Sequence, residues 1–283
     1  MMQTAWMRAL AGLGCMVMVA SCTTRDVDTP PRVASDWVLV WADEFDGAAG
    51  DKPDPEKWGY DIGVGQDGWG NQELQYYTDS ADNASMDGEG NLVITARQEA
   101  VQGSSYTSAR LLTQNKFSVQ YGRIEARVKL PRGAGLWPAF WMLGVDFPTV
   151  GWPYCGEIDI MEYQGQVPDV VHGSLHGPGY SGGSPITDVY FLPDGQSFDT
   201  EFHVFAVEWS PGRISWFVDD TAFTVATTGQ VPSGGQWVYD HPFFLILNMA
   251  VGGTFVGPPN ASTPFPAQML VDYIRVYSQQ GAE

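Results

Sequence analysis

The 283-residue chain is 44% hydrophobic and 13% aromatic, enough for a sizeable core, and this composition excludes a largely disordered protein. A formal net charge of −19 at pH 7 repels phosphate backbones and anionic lipid surfaces, which disfavours nucleic-acid or membrane-surface binding and argues against sulfated polymers. Neutral partners held by stacking and hydrogen bonding stay open, and 11 Trp, 12 Tyr and 14 Phe suit sugar faces as well as a core.

At the N-terminus one early arginine, Arg8, precedes an apolar run from Ala9 to Ala20 that is too short to span a bilayer comfortably. Residues 1–21 read as an export signal. Its end, VASC (19–22), resembles the lipobox of bacterial lipoprotein signals and makes Cys22 the lipidated first residue of the mature chain; a plain secretory signal cleaved nearby is the alternative. Residues 22–35 are polar and contain Pro30 and Pro31, so they read as a tether. The expectation is an exported protein, anchored in a bacterial membrane facing the periplasm or the cell surface, or else secreted. With Cys15 in the signal and Cys22 at its end, Cys155 stands alone and no disulfide framework is expected. Cys155 lies two residues before Glu157, so it is either a nucleophilic thiol or, lacking a nearby histidine in sequence, a small apolar core residue.

From Asp36 onward strands and turns follow one another. NLVITARQ (91–98) follows the turn DGEG and reads as a strand. YGRIEARVKL (121–130) alternates Arg123, Glu125, Arg127 and Lys129 with apolar residues, the pattern of a half-buried strand. FHVFAVEW (202–209) and RISWFVDD (213–220) flank Ser210, Pro211 and Gly212 and predict a hairpin. PFFLILNMAV (242–251) is apolar enough to be buried on both faces, and MLVDYIRVYS (269–278) is a final strand. With 33 Gly and 19 Pro as punctuation and no long helical period after the signal, residues 36–279 predict one all-β sandwich, with 280–283 as a short tail.

GEIDIMEY (156–163) carries the chemistry. Glu157 and Asp159 obey the two-residue period of a strand, but Glu162 arrives one residue late and falls on the face of Ile158 and Ile160. A carboxylate among core isoleucines is costly, so a β-bulge near Ile160 and Met161 is expected to return Glu162 to the face of the other two acids. Glu157 and Glu162 would then lie roughly 13 Å apart at Cα, which inward-leaning side chains could reduce to about 5 or 6 Å, a spacing that fits a retaining glycosidase better than an inverting one without by itself excluding inversion. That chemistry needs an ionised nucleophile and a protonated acid flanking one bond, and crowding three carboxyls raises at least one pKa. The competing reading is a solvated acidic strand face.

GEIDIMEY resembles the catalytic signature of glycoside hydrolase family 16, in its laminarinase-like endo-1,3-β-glucanase branch. Similar matches run through WADEFDG (41–47), WGNQELQYYT (69–78), GRIEARVKLPRGAGLWPAFWML (122–143), HGSLHGPGY (172–180), FHVFAVEWSPGRISWFVDD (202–220), HPFFLILNMAVGG (241–253) and VDYIRVY (271–277). The resemblance implies a concanavalin-like β-jelly roll of two antiparallel sheets, with an open concave cleft for a polysaccharide. It implies Glu157 as nucleophile, Asp159 as assisting residue and Glu162 as general acid/base, with no cofactor for catalysis. Cleavage of internal 1,3-β-glucosidic bonds by a monomeric chain is expected, with mixed 1,3-1,4-β-glucans also accessible. A non-catalytic lectin on the same fold, or a glycosidase for lichenan or agarose, is the alternative.

The same resemblance points to further residues. Asn71 in WGNQELQYYT and Arg110 in TSARLLT match positions that reach the non-reducing-side subsites, although Arg110 also suits a surface ion pair. Trp137 and Trp141, four apart, share a strand face beside the catalytic strand, where one stacks on sugar and the other is either a second platform or core; Trp152 is a weaker platform. Asn248 interrupts an apolar run and either serves the site or braces the sheet. His172 and His176 have a helical metal-pair spacing in a strand context, and the resemblance makes His176 a cleft residue instead. A structural calcium ion is implied at Asp272 with backbone carbonyls near Glu44 and Gly90. The chain departs from the pattern at Phe255, where many laminarinases carry tryptophan near this position.

Overall fold

Alternating apolar residues force strands to pack in layers, and the computed structural model, which describes residues 37–279, consists of two large antiparallel sheets. The seven-stranded sheet runs Ile186–Phe191, Val170–His176, Glu157–Tyr163, Leu136–Gly144, Phe243–Val251, Arg110–Leu112, Gly59–Tyr60. The eight-stranded sheet runs Thr221–Thr227, Arg213–Val218, His203–Ser210, Gly122–Lys129, Ala267–Gln279, Leu92–Ala96, Ala84–Met86, with Trp37–Asp43 paired to the second half of Ala267–Gln279. Gln75–Tyr77 and Tyr106–Ser108 form a separate parallel pair. The expected signal, tether, Cys22 and tail lie outside the described residues.

The hairpin forms as the sequence predicts, with Ser210 opposite Arg213. Phe243–Val251 is buried along its whole length. On its inner face Phe243, Leu245, Leu247 and Met249 join Ile124, Ala126 and Val128 of the opposite sheet in the main core. On its outer face Phe244 and Ile246 cluster with Leu112, Leu143 and Cys155 against Trp141. Cys155 is therefore an apolar core residue: burial, then Glu157 and Asp146, push its thiol up to about 12, which removes the nucleophile reading.

The strand Gly122–Lys129 departs from the half-buried expectation, because Arg123 and Glu125 are only 8% and 0% exposed. Neighbouring strands cover them. Arg123 donates to Glu125 at 2.7 Å and to Glu208 at 3.2 Å, so the buried carboxylate is paired rather than solvated. The helical pieces among the described residues are short: Gly68–Gln72, Phe147–Val150 and Thr228–Gln230.

Candidate active site

The catalytic-signature strand, Glu157–Tyr163, is bulged. Against Val170–His176, Asp159 pairs with Ser174 and Glu162 with His172, so Ile160 and Met161 together face Gly173 alone. Against Leu136–Gly144, Asp159 pairs with Trp141 and Met161 with Phe140, which leaves Ile160 as the residue without a partner on that side. Ile158, Ile160 and Met161 all pack into the main core. Asp159 and Glu162 sit across from Trp141 and Ala139 on the outer face, with Glu157 on the same side. The late acid is thus accounted for by backbone geometry, and the two-residue period resumes after it.

Glu157 pairs across the ladder with His176, and Glu162 with His172. The glutamates are five residues apart and the histidines four, so the one-residue mismatch between E-x4-E and H-x3-H is itself the signature of the bulge. Burial pushes all three carboxyls up, each to about 8. For Glu157 the Asp159 charge adds to burial, while His176 and a hydrogen bond from Trp152 oppose it. Trp152 Nε1 donates to Glu157 Oε2 at 3.0 Å, and Trp137 Nε1 donates to Glu162 Oε1 at 3.1 Å. His176 Nε2 lies 3.3 Å from Asp159 Oδ2 and 3.7 Å from Glu157 Oε1. The titration belongs to the cluster, which holds fewer than three charges at neutral pH. Glu157 and Glu162 each have an indole donor and the His176 charge favouring the anion; Glu157, with His176 Nε2 at 3.7 Å, is the better placed of the two to carry one.

To one side of the acids a hydrogen-bonded wall runs across the sheet. Trp141 Nε1 donates to Asn248 Oδ1 at 2.7 Å, Asn248 Nδ2 to the Tyr77 hydroxyl at 3.1 Å, and that hydroxyl to Glu73 Oε2 at 3.2 Å. Gln75 also donates to Glu73 at 2.7 Å, and Asn71 does so at 3.4 Å. The guanidinium of Arg110 is stacked between Trp69 and Trp141, 4.7 and 4.8 Å from their ring centres, and pairs with Asp61 at 2.9 Å. Of the predicted pocket residues, Asn71, Arg110, Trp141 and Asn248 therefore fall in one connected group. The Asn71 segment is shaped by positive φ at Asp67, Trp69 and Gln72, a conformation that costs energy and is typical of functional loops.

The family model for glycosyl hydrolases family 16 matches residues 71–275. The chain belongs to that family. A beta-glucanase of Rhodothermus marinus is 48% identical over 254 residues, spanning 86% of each chain. The structure of an endo-beta-1,3-glucanase from Pyrococcus furiosus is 49% identical with a TM-score of 0.82, covering 86% of this chain and 95% of that one. The laminarinase catalytic domain from Thermotoga maritima is also 49% identical at TM-score 0.82, over 87% of this chain and all of that chain, 100%. The family 16 chain is accordingly a glycoside hydrolase built as an open jelly-roll sandwich.

Other predicted residues are placed less simply in this family 16 site. Trp137 is only 9% exposed and packs on Phe255 at 5.1 Å, so its polar edge toward Glu162 is its main contribution. Phe255 also meets the edge of His172 at 5.2 Å, and burial holds His172 below the usual histidine range, in its neutral form. Among the described residues, the group of three side chains close enough to share a metal is Glu157, Asp159 and His176, within 4.8 Å of one another; it coincides with the acids, not with a His172–His176 pair. Of the donors implied for calcium, the Asp272 side chain already meets a cation, its Oδ2 accepting from Arg127 at 2.6 Å; the Glu44 carboxylate, distinct from the implied backbone carbonyl, accepts from Arg275 through both oxygens at 2.8 Å. Gly90, at φ +90, lies near Asp46. Sequence reasoning passed over Glu73, Tyr77, Gln75, Trp69 and Asp61, although the first four stand in the quoted WGNQELQYYT stretch, where a lone acid among aromatic and amide residues was the available signal.

Proposed function

We propose that the chain is a retaining endo-glycosidase that hydrolyses internal 1,3-β-D-glucosidic bonds of laminarin-like glucans. The observation that carries this reading is the bulged strand, which sets Glu157, Asp159 and Glu162 on one outer face beside two indole N–H donors. The endo-1,3-β-glucanase and laminarinase relatives support the polymer assigned. Glu157 attacks the anomeric carbon as the glycosidic C–O bond breaks, and Glu162 gives its proton to the leaving oxygen. In the second half-reaction Glu162 takes a proton from water, which attacks the anomeric carbon and releases Glu157. Asp159 tunes the charge on Glu157. Asn71, Arg110, Trp141 and Asn248 form the wall against which the glycone side of the chain is held, with His176 flanking the reacting bond. No cofactor takes part in these steps.

A side-by-side digest of laminarin, lichenan and agarose tests the substrate. Reducing-sugar release greatest on laminarin, lost in Glu157→Ala, is expected; agarose cleavage with inert laminarin overturns the assignment, and binding without hydrolysis by the wild type would make the chain lectin-like.

Two further proposals rest on the sequence. Export with lipidation at Cys22 predicts an acyl group that disappears in Cys22→Ser. A structural calcium ion at Asp272, with the Glu44 and Gly90 carbonyls, would have to share Asp272 with Arg127; a Tm unchanged by calcium or a chelator would refute it.

A further inference from the structure

The bulge that brings Glu162 to the site is anchored from the opposite sheet. Trp216 lies in Arg213–Val218 of the eight-stranded sheet and is 2% exposed. Its indole Nε1 crosses the core and donates to the backbone carbonyl of Asp159 at 2.8 Å, at the residue where the strand pairing begins to slip. The same ring lies against Gly173, the single residue that faces Ile160 and Met161. A Cβ on Gly173 would fall 2.5 Å from Trp216 Cδ1 and 2.8 Å from Nε1, so only glycine leaves space for the indole at this point. Side-chain direction in a strand is binary. If the extra residue were redistributed by one position, Glu162 would turn into the core and an apolar neighbour would turn out.

We infer that Trp216, together with Gly173, is a positioning residue for Glu162: the indole N–H and the space left by the glycine hold the bulge in the register that points the acid outward. Neither residue touches substrate. The inference rests on the reading of Glu162 as general acid, and it predicts a defect confined to reactions that need that acid's proton.

Trp216→Phe keeps a core ring and removes the N–H, while Gly173→Ala keeps the indole and crowds it. Trp209→Phe is the control, because Trp209 is equally buried at 2%, sits in the same sheet and donates to the Tyr239 carbonyl at 3.0 Å, away from the bulge. Each protein is assayed for kcat/KM on laminarin, whose sugar leaving group must be protonated, and on a dinitrophenyl β-laminaribioside, whose phenolate leaves without protonation. Trp216→Phe and Gly173→Ala are expected to lose roughly 10- to 100-fold on laminarin, with the aryl glycoside within about twofold of wild type. Trp209→Phe is expected to change both substrates equally, whatever it does to Tm. Equal losses on both substrates in Trp216→Phe, or wild-type behaviour on both, overturn the inference. Should Trp216→Phe fail to fold, Gly173→Ala decides by the same ratio. A wild type inert on both substrates would instead sink the glycosidase reading itself.

Discussion

At the scale of residues, the two indole donors are the finest adjustment of the acids. Each N–H stabilises the anion it touches, so removing it raises the pKa of that carboxyl. Trp152→Phe is expected to move the acid limb of the kcat/KM profile on laminarin to higher pH, and Trp137→Phe to move the alkaline limb in the same direction. Limbs that stay in place would show that the indoles do not tune these groups. Glu162→Gln adds a stability test. The carboxyl titrates near 4.5 when unfolded and is pushed to about 8 in the fold, so the folded state holds a proton that the unfolded state has released. Its effect on stability is absent below the unfolded value and turns increasingly unfavourable as pH rises toward 8. Glu162→Gln should therefore lose roughly 10²–10⁴-fold in activity on laminarin, while its Tm advantage over wild type widens from pH 4 to pH 8. A constant or shrinking gap in thermal melts would contradict the assigned burial cost.

At the scale of elements, the catalytic strand shows how much local pattern reveals. GEIDIMEY alone predicts a bulge, because a third acid on the isoleucine face has no other affordable place. It does not say which residue loses its partner, and the structure assigns that to Ile160 on one side, with Met161 still opposite Phe140. Deleting Met161 would restore a strand of strict period two with all three acids on the outer face and Tyr163 still inward. The deletion is expected to retain more laminarin hydrolysis than Glu162→Gln, while losing about 2–5 kcal/mol in denaturant melts, as for Met→Ala in a core. Activity as low as that of Glu162→Gln would show that the bulge has a role beyond face selection. The wall of Trp141, Asn248, Tyr77 and Glu73 was far less legible. Asn248 and Tyr77 are 171 residues apart in sequence, and hydrogen bonds over that range leave no periodic trace.

At the scale of the whole molecule, the sandwich was readable because half-buried strands alternate and turns carry Gly and Pro. What misled was the outer face of the eight-stranded sheet. Alternation marked Arg123 and Glu125 as solvent-facing, yet they are buried by neighbours whose charges complete them, since a polar period cannot tell water from an ion pair. Trp216 was hidden for a related reason: its sequence context, RISWFVDD, is that of any core strand, and its link to Asp159 exists only once the two sheets stack. The net charge of −19 fits the assigned neutral polymer, which needs no counter-charge on the protein. In the proposed mechanism two carboxyls, Glu157 and Glu162, act in succession on one anomeric centre. The most direct measurement is the anomeric configuration of the first product released from laminarin, followed by proton NMR from the moment of mixing. Initial release of the β-anomer, with the α-anomer appearing later by mutarotation, is the predicted result. Initial release of the α-anomer would contradict Glu157 as nucleophile and the retaining mechanism with it.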